Sequence, residues 1–336
     1  MRIPVAGMLP VNLPAWRENR EASGFLLSLA FVCLASARDV YLGGLFQRFS
    51  PLHIAIVAFT LCSLIFLPIA CAQQPESLRA LLHRPLDLFW VNATSAIAWI
   101  AFFYALRTME PSLVQVLFSG IGPLTVTWLD RLVPGVTRPA PFRRMERPFH
   151  LGLLSSLIVT VAVTVGGWSG AGALPLGVAA LGVALALGAG ISISVNTVLC
   201  KKLNENGVHP VALVALRFLG AIILAAVLSR SSADILVALS PVSALALVVA
   251  AALLLIVFPI YVNQVGISLA SPRTVRVVLS LGPVLIFSLQ IVEGRLVSSP
   301  YSLACAGLYS FFAIGAVVTR QRAIRSAAGT DVGGRC

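Results

Sequence analysis

Charged residues are scarce in this chain of 336 residues, at 11% of the total, against roughly a quarter in an ordinary soluble domain. Acidic residues are the scarcer kind, with 12 Asp and Glu against 24 Lys and Arg. Hydrophobic residues reach 58%, and the mean hydropathy is +0.95. This composition excludes a soluble globular domain and indicates that most of the protein surface faces lipid.

Residue patterns that carry enzyme chemistry are also missing from the sequence. It contains no Gly-Lys-Ser/Thr phosphate loop and no paired acidic motif of a membrane transferase. Its six cysteines follow no metal-binding or disulfide spacing. Its four histidines lie in loops or at the ends of apolar runs: His53, His83, His150 and His209. We therefore expect no enzyme, no ATP-driven pump, and no cofactor or metal.

The sequence contains many long apolar runs. Backbone groups in hydrocarbon must be satisfied within a helix or a closed barrel, and these runs lack the alternation of strands, so they predict helices. A window of about 20 residues gives ten candidate spans: 24–46, 53–72, 87–107, 112–131, 150–169, 174–199, 210–229, 243–268, 274–293 and 300–319. The predicted fold class is an all-α polytopic membrane protein with ten transmembrane helices.

The basic residues are unevenly distributed between the loops. Of the 24 Lys and Arg, 18 lie in the tails and even-numbered loops, 4 lie in odd-numbered loops, and Arg38 and Arg217 lie inside spans. The positive-inside rule then places both termini in the cytoplasm, which requires an even number of spans. We expect a multi-pass protein of the inner (cytoplasmic) membrane. Its net charge of +12, including the Arg-rich loop 133–150, faces lipid headgroups and not nucleic acid.

Prolines recur at a fixed offset along the chain. Pro51 and Pro210 lie 159 positions apart, and Pro123 and Pro283 lie 160 positions apart. Pro123 and Pro283 each fall within an apolar run. This spacing predicts that the chain consists of two copies of a five-helix unit. Because five is odd, the second copy enters the membrane from the opposite side, an inverted repeat that is typical of transporters. The predicted segments are a cytoplasmic tail 1–23, a first repeat 24–170, a second repeat 171–320 and a cytoplasmic tail 321–336.

The N-terminus also admits a second interpretation. Arg17 and Arg20 precede an apolar run, and Ala35-Ser36-Ala37 follows it, which together resemble a cleavable signal peptide. The repeat favours a retained helix, because the sixth span needs a first span as its counterpart.

Motifs in both halves resemble a known transporter family. The first half carries Tyr104-Ala-Leu-Arg-Thr-Met-Glu-Pro-Ser and then Gly122-Pro123. The second half carries Lys201-Lys202, Gly207-Val-His-Pro210, Arg217, Leu281-Gly-Pro283 and Glu293-Gly. In order and spacing, over about residues 24 to 320, these motifs resemble the EamA-type branch of the drug/metabolite transporter superfamily. One departure is Ala58, which stands where the first half would carry the equivalent of Arg217.

The resemblance implies ten helices around a midplane cavity lined mainly by the first, third, fourth, sixth, eighth and ninth helices. It also implies secondary transport of small metabolites, commonly outward. We therefore expect an exporter of amino acids, amphipathic metabolites or drugs that works by alternating access. The alternative transport function is uptake or exchange of an anionic or sugar-nucleotide substrate. The alternative outside metabolite transport is a lipid-flipping or non-transporting membrane protein.

The expected partners follow from these functions. They are a small-molecule substrate, the lipid bilayer and, as candidate coupling ion, the proton. The sequence leaves open whether the chain is a monomer or a homodimer.

The two Gly-Pro sites are candidate hinges. Pro123 and Pro283 fall about 16 Å along their predicted helices, near the midplane. Each proline frees a backbone carbonyl one turn back, and the preceding Gly122 and Gly282 allow close approach. The freed carbonyls could bind substrate or let the helix bend; a simple packing kink is the alternative.

The ionisable residues inside spans are few. Arg217 is either a structural anchor that reaches headgroups or a clamp for a carboxylate or phosphate. Asp39 is the candidate for proton coupling, with an interfacial salt bridge as the alternative. Adjacent Arg38 and Asp39 point to different helix faces, so we expect each to pair with another helix. Glu110 and Glu293 fall at the outer side, where they could gate the path or cap helix ends.

Amide and aromatic side chains complete the predicted cavity. Asn92, Trp99 and Phe103 share one helix face and form either an aromatic wall or ordinary packing. The predicted substrate-binding or cavity-lining residues are Arg38, Asn92, Trp99, Phe103, Tyr104, Gln115, Ser119, Asn196, Arg217, Asn263 and Ser280.

Overall fold

The structure, a computed structural model, describes residues 20–132, 147–229, 242–260, 262 and 277–332, and every regular element in them is a helix. We number the helices α1 Arg20–Leu45, α2 Pro51–Gln73, α3 Pro75–Leu82, α4 Pro85–Thr108, α5 Pro111–Leu132, α6 Arg147–Val165, α7 Leu176–Glu205, α8 Pro210–Leu216, α9 Leu219–Ser229, α10 Val242–Ala252, α11 Gly282–Glu293 and α12 Pro300–Val332. A π-helical turn, Leu253–Val257, continues α10. The predicted all-α class is confirmed for these residues.

Among the described residues, seven helical segments are long and apolar enough to cross a membrane, when α8 and α9 are counted as one, so the chain is a multi-pass membrane protein. They are Ser23–Leu45, Pro51–Gln73, Pro85–Thr108, Arg147–Val165, Leu176–Glu205, Pro210–Ser229 and Pro300–Thr319. Three shorter apolar helices, Pro111–Val126, Leu245–Ile260 and Val277–Glu293, overlap the fourth, eighth and ninth predicted spans.

Large apolar side chains cover the outside of the bundle. Leu64, Ile158, Leu181, Ile223 and Phe311 are each more than half exposed. Exposed apolar surface on this scale would be unstable in water, and in a bilayer it faces lipid.

Proline marks where many of these helices start. The first residue of α2, α3, α4, α5, α8 and α12 is proline, whose fixed φ suits the first turn and whose missing N–H would have no partner there. Ser50 caps α2 by accepting a hydrogen bond from the Leu52 N–H. Gly294 ends α11 at a φ of 71°, a left-handed conformation that glycine adopts without strain.

Three boundaries differ from the sequence predictions. The short amphipathic helix α3 occupies the second predicted loop, with Glu76 in its first turn and Arg79 in its last turn, each of which suits the helix dipole. α7 continues past its predicted end at 199 to Glu205, and α12 continues past 319 to Val332. The predicted C-terminal tail is therefore helical over 321–332, because no proline interrupts the helix there.

Glycines allow two pairs of helices to approach closely. On α7, a Cβ added at Gly190 would lie 2.3 Å from the backbone oxygen of Phe118 on α5. The helices α6 and α12 exchange contacts reciprocally, because Gly152 receives the ring of Phe312 and Gly315 receives the ring of Phe149. Small residues at such contacts let helices pack by dispersion, the main attraction available to them in lipid.

Candidate functional site

Aromatic rings from several helices meet inside the bundle. Phe59 on α2 stacks on Phe218 with ring centroids 4.7 Å apart, and it lies 5.8 Å from Trp99 on α4. Phe103 packs 6.0 Å from Phe59 and 5.1 Å from Phe46. Phe59, Phe103 and Phe218 are fully buried, whereas Trp99 is partly exposed. Phe103 is therefore part of the packing core, and Trp99 is the member of the predicted aromatic face that reaches accessible space.

Arg38 and Asp39 form an ion pair with each other. The Arg38 Nε donates to Asp39 Oδ1 at 2.7 Å, and both residues are buried. The expectation that each pairs with another helix is wrong, because the long arginine side chain folds back along α1 to its neighbour. The guanidinium also lies 5.4 Å from the ring centroid of Trp99 and 5.8 Å from that of Phe102, a cation–π arrangement. This pair is neutral as a unit and needs no further charge.

Four predicted site residues carry a buried polar atom that has no hydrogen-bond partner among the described residues. Two are donors, Trp99 Nε1 and Arg217 Nε, and two are acceptors, Asp39 Oδ2 and Gln115 Oε1. Nearly all buried polar atoms in proteins are hydrogen-bonded, so unmatched ones call for an explanation. Their concentration in residues of α1, α4, α5 and the α8–α9 turn marks this interior as the candidate site.

Arg217 lies at a break in the seventh predicted span. The helix α8 ends at Leu216 and α9 begins at Leu219, so Arg217 and Phe218 form the turn between them. The guanidinium lies 4.7 Å from the Phe218 ring centroid. Phe218 in turn stacks on Phe59 of α2. The cation therefore lies inside the bundle, close to α2.

Asn92 on α4 stabilises this break. Its Oδ1 accepts a hydrogen bond from the Gly220 N–H at 2.7 Å, and its Nδ2 donates to the Leu88 carbonyl at 3.0 Å. A Cβ at Gly220 would lie 2.9 Å from the Asn92 Cβ, so the two helices are in direct contact here. Asn92 thus caps the first turn of α9. This is a structural role, whereas the sequence predicted that Asn92 lines a cavity.

Asn196 joins α7 to α4. Its Nδ2 lies 2.9 Å from the Val91 carbonyl and from the hydroxyls of Thr94 and Ser95, while its Oδ1 accepts a weak hydrogen bond from Cys200 Sγ at 3.6 Å. Asn196 is 1% exposed. Its amide is therefore committed to helix association, and it offers little to a ligand.

The two Gly-Pro sites differ in geometry. Pro123 lies inside the continuous helix α5 and is exposed, whereas Pro283 is buried in the first turn of α11, after a turn at 280–281. An added Cβ at Gly122 would lie 3.1 Å from Ser194 Oγ on α7, and one at Gly282 would lie 3.8 Å from Gln115 Nε2 on α5. Each glycine thus faces a polar side chain of another helix.

The remaining predicted residues have separate environments. Tyr104 is half-buried against the apolar core. Ser119 hydrogen-bonds the Tyr309 hydroxyl on α12. The Ser280 carbonyl accepts from Ser310 Oγ at 2.7 Å. Asn263 lies outside the described residues.

Glu110 is the most completely hydrogen-bonded carboxylate that the structure describes. It is 1% exposed, and donors from three other parts of the chain surround it. Oε1 accepts from Ser112 Oγ at 2.8 Å and Gln290 Nε2 at 3.0 Å, and Oε2 accepts from the Gly170 N–H at 2.7 Å and Ser302 Oγ at 2.6 Å. We call these five residues the outer seal, after the side of the membrane on which the sequence predicts this end to lie. The sequence flagged Glu110 as a gate or cap, but no pattern pointed to Gly170, Gln290 and Ser302, the three partners that lie 60 to 192 positions away.

Further contacts close the same end of the bundle. The Val297 N–H donates to the Gly170 carbonyl at 3.3 Å, and Gln47 Nε2 donates to the Arg107 carbonyl at 2.8 Å. At the opposite end, the described link is a Lys202–Asp87 ion pair at 3.9 Å whose side chains are 54% and 30% exposed. Exposed ion pairs of this length contribute little stability. The buried side chains of Leu81, Leu203 and Val208 also pack at this opposite end. Among the described residues, one end of the bundle is therefore held by buried hydrogen bonds, and the other by apolar packing and an exposed ion pair.

His209 precedes α8 and gives a pH-dependent contact outside the spans. Its Nδ1 accepts a hydrogen bond from the Val211 N–H at 3.3 Å, and burial lowers the pKa of the imidazole below its usual 6.5. Because the folded pKa is the lower one, the unfolded chain binds more protons as the pH falls below 6.5, and stability declines until the folded pKa is passed. Protonation also removes the acceptor and places a positive charge at a helix N-terminus.

Replacing His209 with asparagine should therefore flatten the pH dependence of unfolding. Protonation of His209 removes one weak N-cap, so we expect it to lower the wild-type melting temperature in detergent by about 1 to 4 °C between pH 7.5 and pH 5. The melting temperature of His209→Asn should not show this decrease. His83→Asn, at an exposed histidine, is the control. Parallel curves for wild type and His209→Asn would contradict the assignment.

Among the described residues, no group of three or more His, Cys, Asp and Glu side chains could hold a metal ion. Neither a family model nor a curated protein matches the sequence. The fold does resemble solved structures. One crystal structure, described only as that of a protein, superposes with a TM-score of 0.56 at 18% identity, covering 89% of this chain and 99% of that chain. At this identity the likeness concerns the fold alone.

Proposed function

We propose that this chain is a secondary active transporter of small metabolites in the cytoplasmic membrane, of the EamA type of the drug/metabolite transporter superfamily. In this proposal ten transmembrane helices form two inverted five-helix repeats, and both termini are cytoplasmic. The seven long and three shorter apolar helices support it, since they fall at the ten predicted positions. The reciprocal Gly152–Phe312 and Gly315–Phe149 contacts also support it, because α6 and α12 are the equivalent fifth and tenth spans.

The observation that carries the proposal is the series of unmatched polar atoms across the bilayer. At about 1.5 Å per residue, Gln115 lies about 6 Å from the outer end of α5 and Asp39 about 9 Å from that of α1. Trp99 lies about 14 Å from the end of α4, near the middle of a hydrocarbon core about 30 Å thick. Arg217 lies about 10 Å from the cytoplasmic start of α8. Polar groups at successive depths are typical of a translocation path.

The difference between the two ends supports alternating access. The outer seal holds one end through buried hydrogen bonds, while the cytoplasmic end has apolar packing and, as its described polar link, an exposed ion pair. Such an arrangement is suited to a state that opens to the cytoplasm, and release outside would require the seal to break. Export, the direction that the family resemblance implies, would begin from such a state.

The direct test compares metabolites in the medium of overproducing and deletion strains, because it assumes no substrate. We expect at least one metabolite to rise outside the overproducing cells and fall outside the deletion strain. The purified protein in proteoliposomes should then move the same compound. If neither medium changes and labelled phospholipids cross reconstituted vesicles faster, the protein is a lipid-flipping protein and the proposal fails.

Proton coupling is assigned to Asp39. Its Oδ1 is bound to Arg38, while the buried Oδ2 has no described partner and can take up a proton. We expect Asp39→Asn to lose the response of transport to an imposed pH gradient, measured as substrate flux into proteoliposomes. Asp87→Asn, at the exposed cytoplasmic ion pair, should keep that response. Transport by Asp39→Asn that still follows the pH gradient would remove Asp39 from the coupling.

A further inference from the structure

The positive charge of Arg217 has no counter-ion among the acids whose side chains the structure describes. Four of those acids pair with other bases: Asp39 with Arg38, Asp87 with Lys202, Glu205 with Lys201 and Glu293 with Arg295. Glu110 is saturated by four neutral donors. Glu76 lies exposed on α3. Among the side chains that the structure describes, the bundle interior therefore holds a neutral Arg38–Asp39 pair and the guanidinium of Arg217 without a paired acid.

The surroundings of Arg217 keep its guanidinium in place. Its central carbon lies 4.7 Å from the ring centroid of Phe218, and Phe59 stacks on that same ring. Its Nε is buried without a partner among the described residues, although Arg217 as a whole is partly exposed. A stacked guanidinium is already ordered, so it loses little conformational freedom when a planar anion binds to its donors.

A single charge at this depth is costly unless something neutralises it. An arginine at the centre of a membrane helix costs about 2.5 kcal/mol or more to insert. Arg217 lies about 10 Å into its span, and Phe218 contacts its guanidinium, but no described acid neutralises the charge. An anion bound to the guanidinium would do so, with two parallel hydrogen bonds of the charge-assisted kind.

We infer that Arg217 binds the anionic group of the transported molecule, and that the substrates are organic anions with a flat apolar body, such as aromatic carboxylates, sulfonates or phosphate esters. This inference rests on the proposed transport function. Trp99, with its unmatched indole N–H and partly exposed ring, provides a donor and a stacking surface for the rest of the molecule. Three ring contacts connect the two residues: Arg217 on Phe218, Phe218 on Phe59, and Phe59 on Trp99.

Wild-type protein tests the inference without any substitution. Three ligands of nearly the same shape, 4-methylbenzenesulfonate, 4-methylbenzenesulfonamide and 4-methylbenzylammonium, carry a negative charge, no charge and a positive charge. In a neutral detergent we expect the sulfonate alone to raise the melting temperature in a concentration-dependent way. Equal stabilisation by the sulfonamide, or stabilisation by the ammonium ligand, would overturn the inference.

Variants then localise the binding. Arg217→Gln should weaken sulfonate affinity about 10- to 100-fold, the usual contribution of a hydrogen bond to a charged group. Arg217→Lys, which keeps the charge and loses the planar fork, should fall between. Arg107→Gln makes the same change of net charge at an exposed arginine and should bind as wild type does. If Arg217→Lys and Arg217→Gln both bind the sulfonate as tightly as wild type, the anion site lies elsewhere and the inference fails.

An anionic lipid headgroup presents the same chemistry as a soluble anion, so a further experiment distinguishes lipid binding from substrate binding. The melting temperature is measured in mixed micelles with phosphatidylglycerol or with neutral phosphatidylcholine. Stabilisation by phosphatidylglycerol, with none by the soluble sulfonate, would overturn the inference. The failure of this inference can be distinguished from the failure of the proposed transport function. Sulfonate binding at Arg217 without flux of any compound would refute the transport function. Flux of neutral compounds without sulfonate binding would refute the anionic substrate class.

Discussion

Replacing Glu110 with alanine should lower the free energy of unfolding by about 3 kcal/mol or more. The substitution leaves four buried donors without their acceptor, and each orphaned group costs roughly 1 to 3 kcal/mol. The hydroxyls of Ser112 and Ser302 can rotate to other partners, but the Gly170 N–H is fixed by the backbone and cannot. In a protein of this size the melting temperature should fall by about 6 to 12 °C, measured in detergent at one scan rate.

Two further variants define what Glu110 contributes. Glu110→Gln keeps the shape but turns an amide group toward the donors, so its melting temperature should lie between those of wild type and Glu110→Ala. Glu205→Gln removes the same charge from an ion pair whose two side chains are 69% exposed, and it should change stability by less than about 0.5 kcal/mol. If Glu110→Ala melts within 1 °C of Glu205→Gln, the seal is not a stabilising network.

The outer seal also predicts a change in accessibility. Leu296 lies in the α11–α12 loop, and it lines the same small pocket as Glu110. A cysteine placed there should react faster with a membrane-impermeant maleimide in the Glu110→Ala background than with Glu110 intact. Unchanged labelling would mean that other contacts keep the outer end closed.

Replacing Gly190 with alanine should destabilise the bundle by about 2 to 3 kcal/mol. Its new methyl group would lie 2.3 Å from the Phe118 carbonyl oxygen and 2.4 Å from the Ile121 side chain. A backbone oxygen cannot swing aside, so α7 must move away from α5, and overpacking of this kind typically costs about 1 to 3 kcal/mol. We expect the melting temperature to fall by about 5 to 10 °C.

Gly188 is a matched control one half-turn away on the same helix. A Cβ at Gly188 meets nothing within 4 Å, so Gly188→Ala should be neutral or raise stability by up to about 1 kcal/mol through helix propensity. Opposite signs for the two substitutions would localise the effect to the α5–α7 contact. Equal melting temperatures would show that α7 has room at Gly190 and that the close approach is not required.

Where the helices lie was predictable from local sequence. Apolar runs located the long spans, and prolines such as Pro51, Pro85 and Pro210 marked helix starts. The break at Arg217 was not predictable, because residues 210–229 form one apolar run and Asn92, which caps the interruption, lies 128 positions away. The inverted repeat and the count of ten remain predictions.

The candidate site was predictable in its residue types more than in its pairings. Arg217, Trp99, Gln115 and Asp39 were selected because polar groups are expensive in lipid, and each of them has a buried polar atom without a described hydrogen-bond partner. Asn92 and Asn196 were selected for the same reason, yet both are used between helices. Nothing in a single sequence separates a polar residue that joins two helices from one that awaits a ligand, because the difference lies in what faces it.

The sequence by itself determined a multi-pass helical membrane protein, because hydropathy and the need to satisfy backbone hydrogen bonds act over about 20 neighbouring residues. Only the tertiary structure decided how its charges are used. It paired Arg38 with Asp39, surrounded Glu110 with donors from distant segments, and left Arg217 without a described counter-ion. These contacts depend on distances of about 3 Å between atoms of residues that can be 192 positions apart. Such distances are determined by how the helices pack against each other.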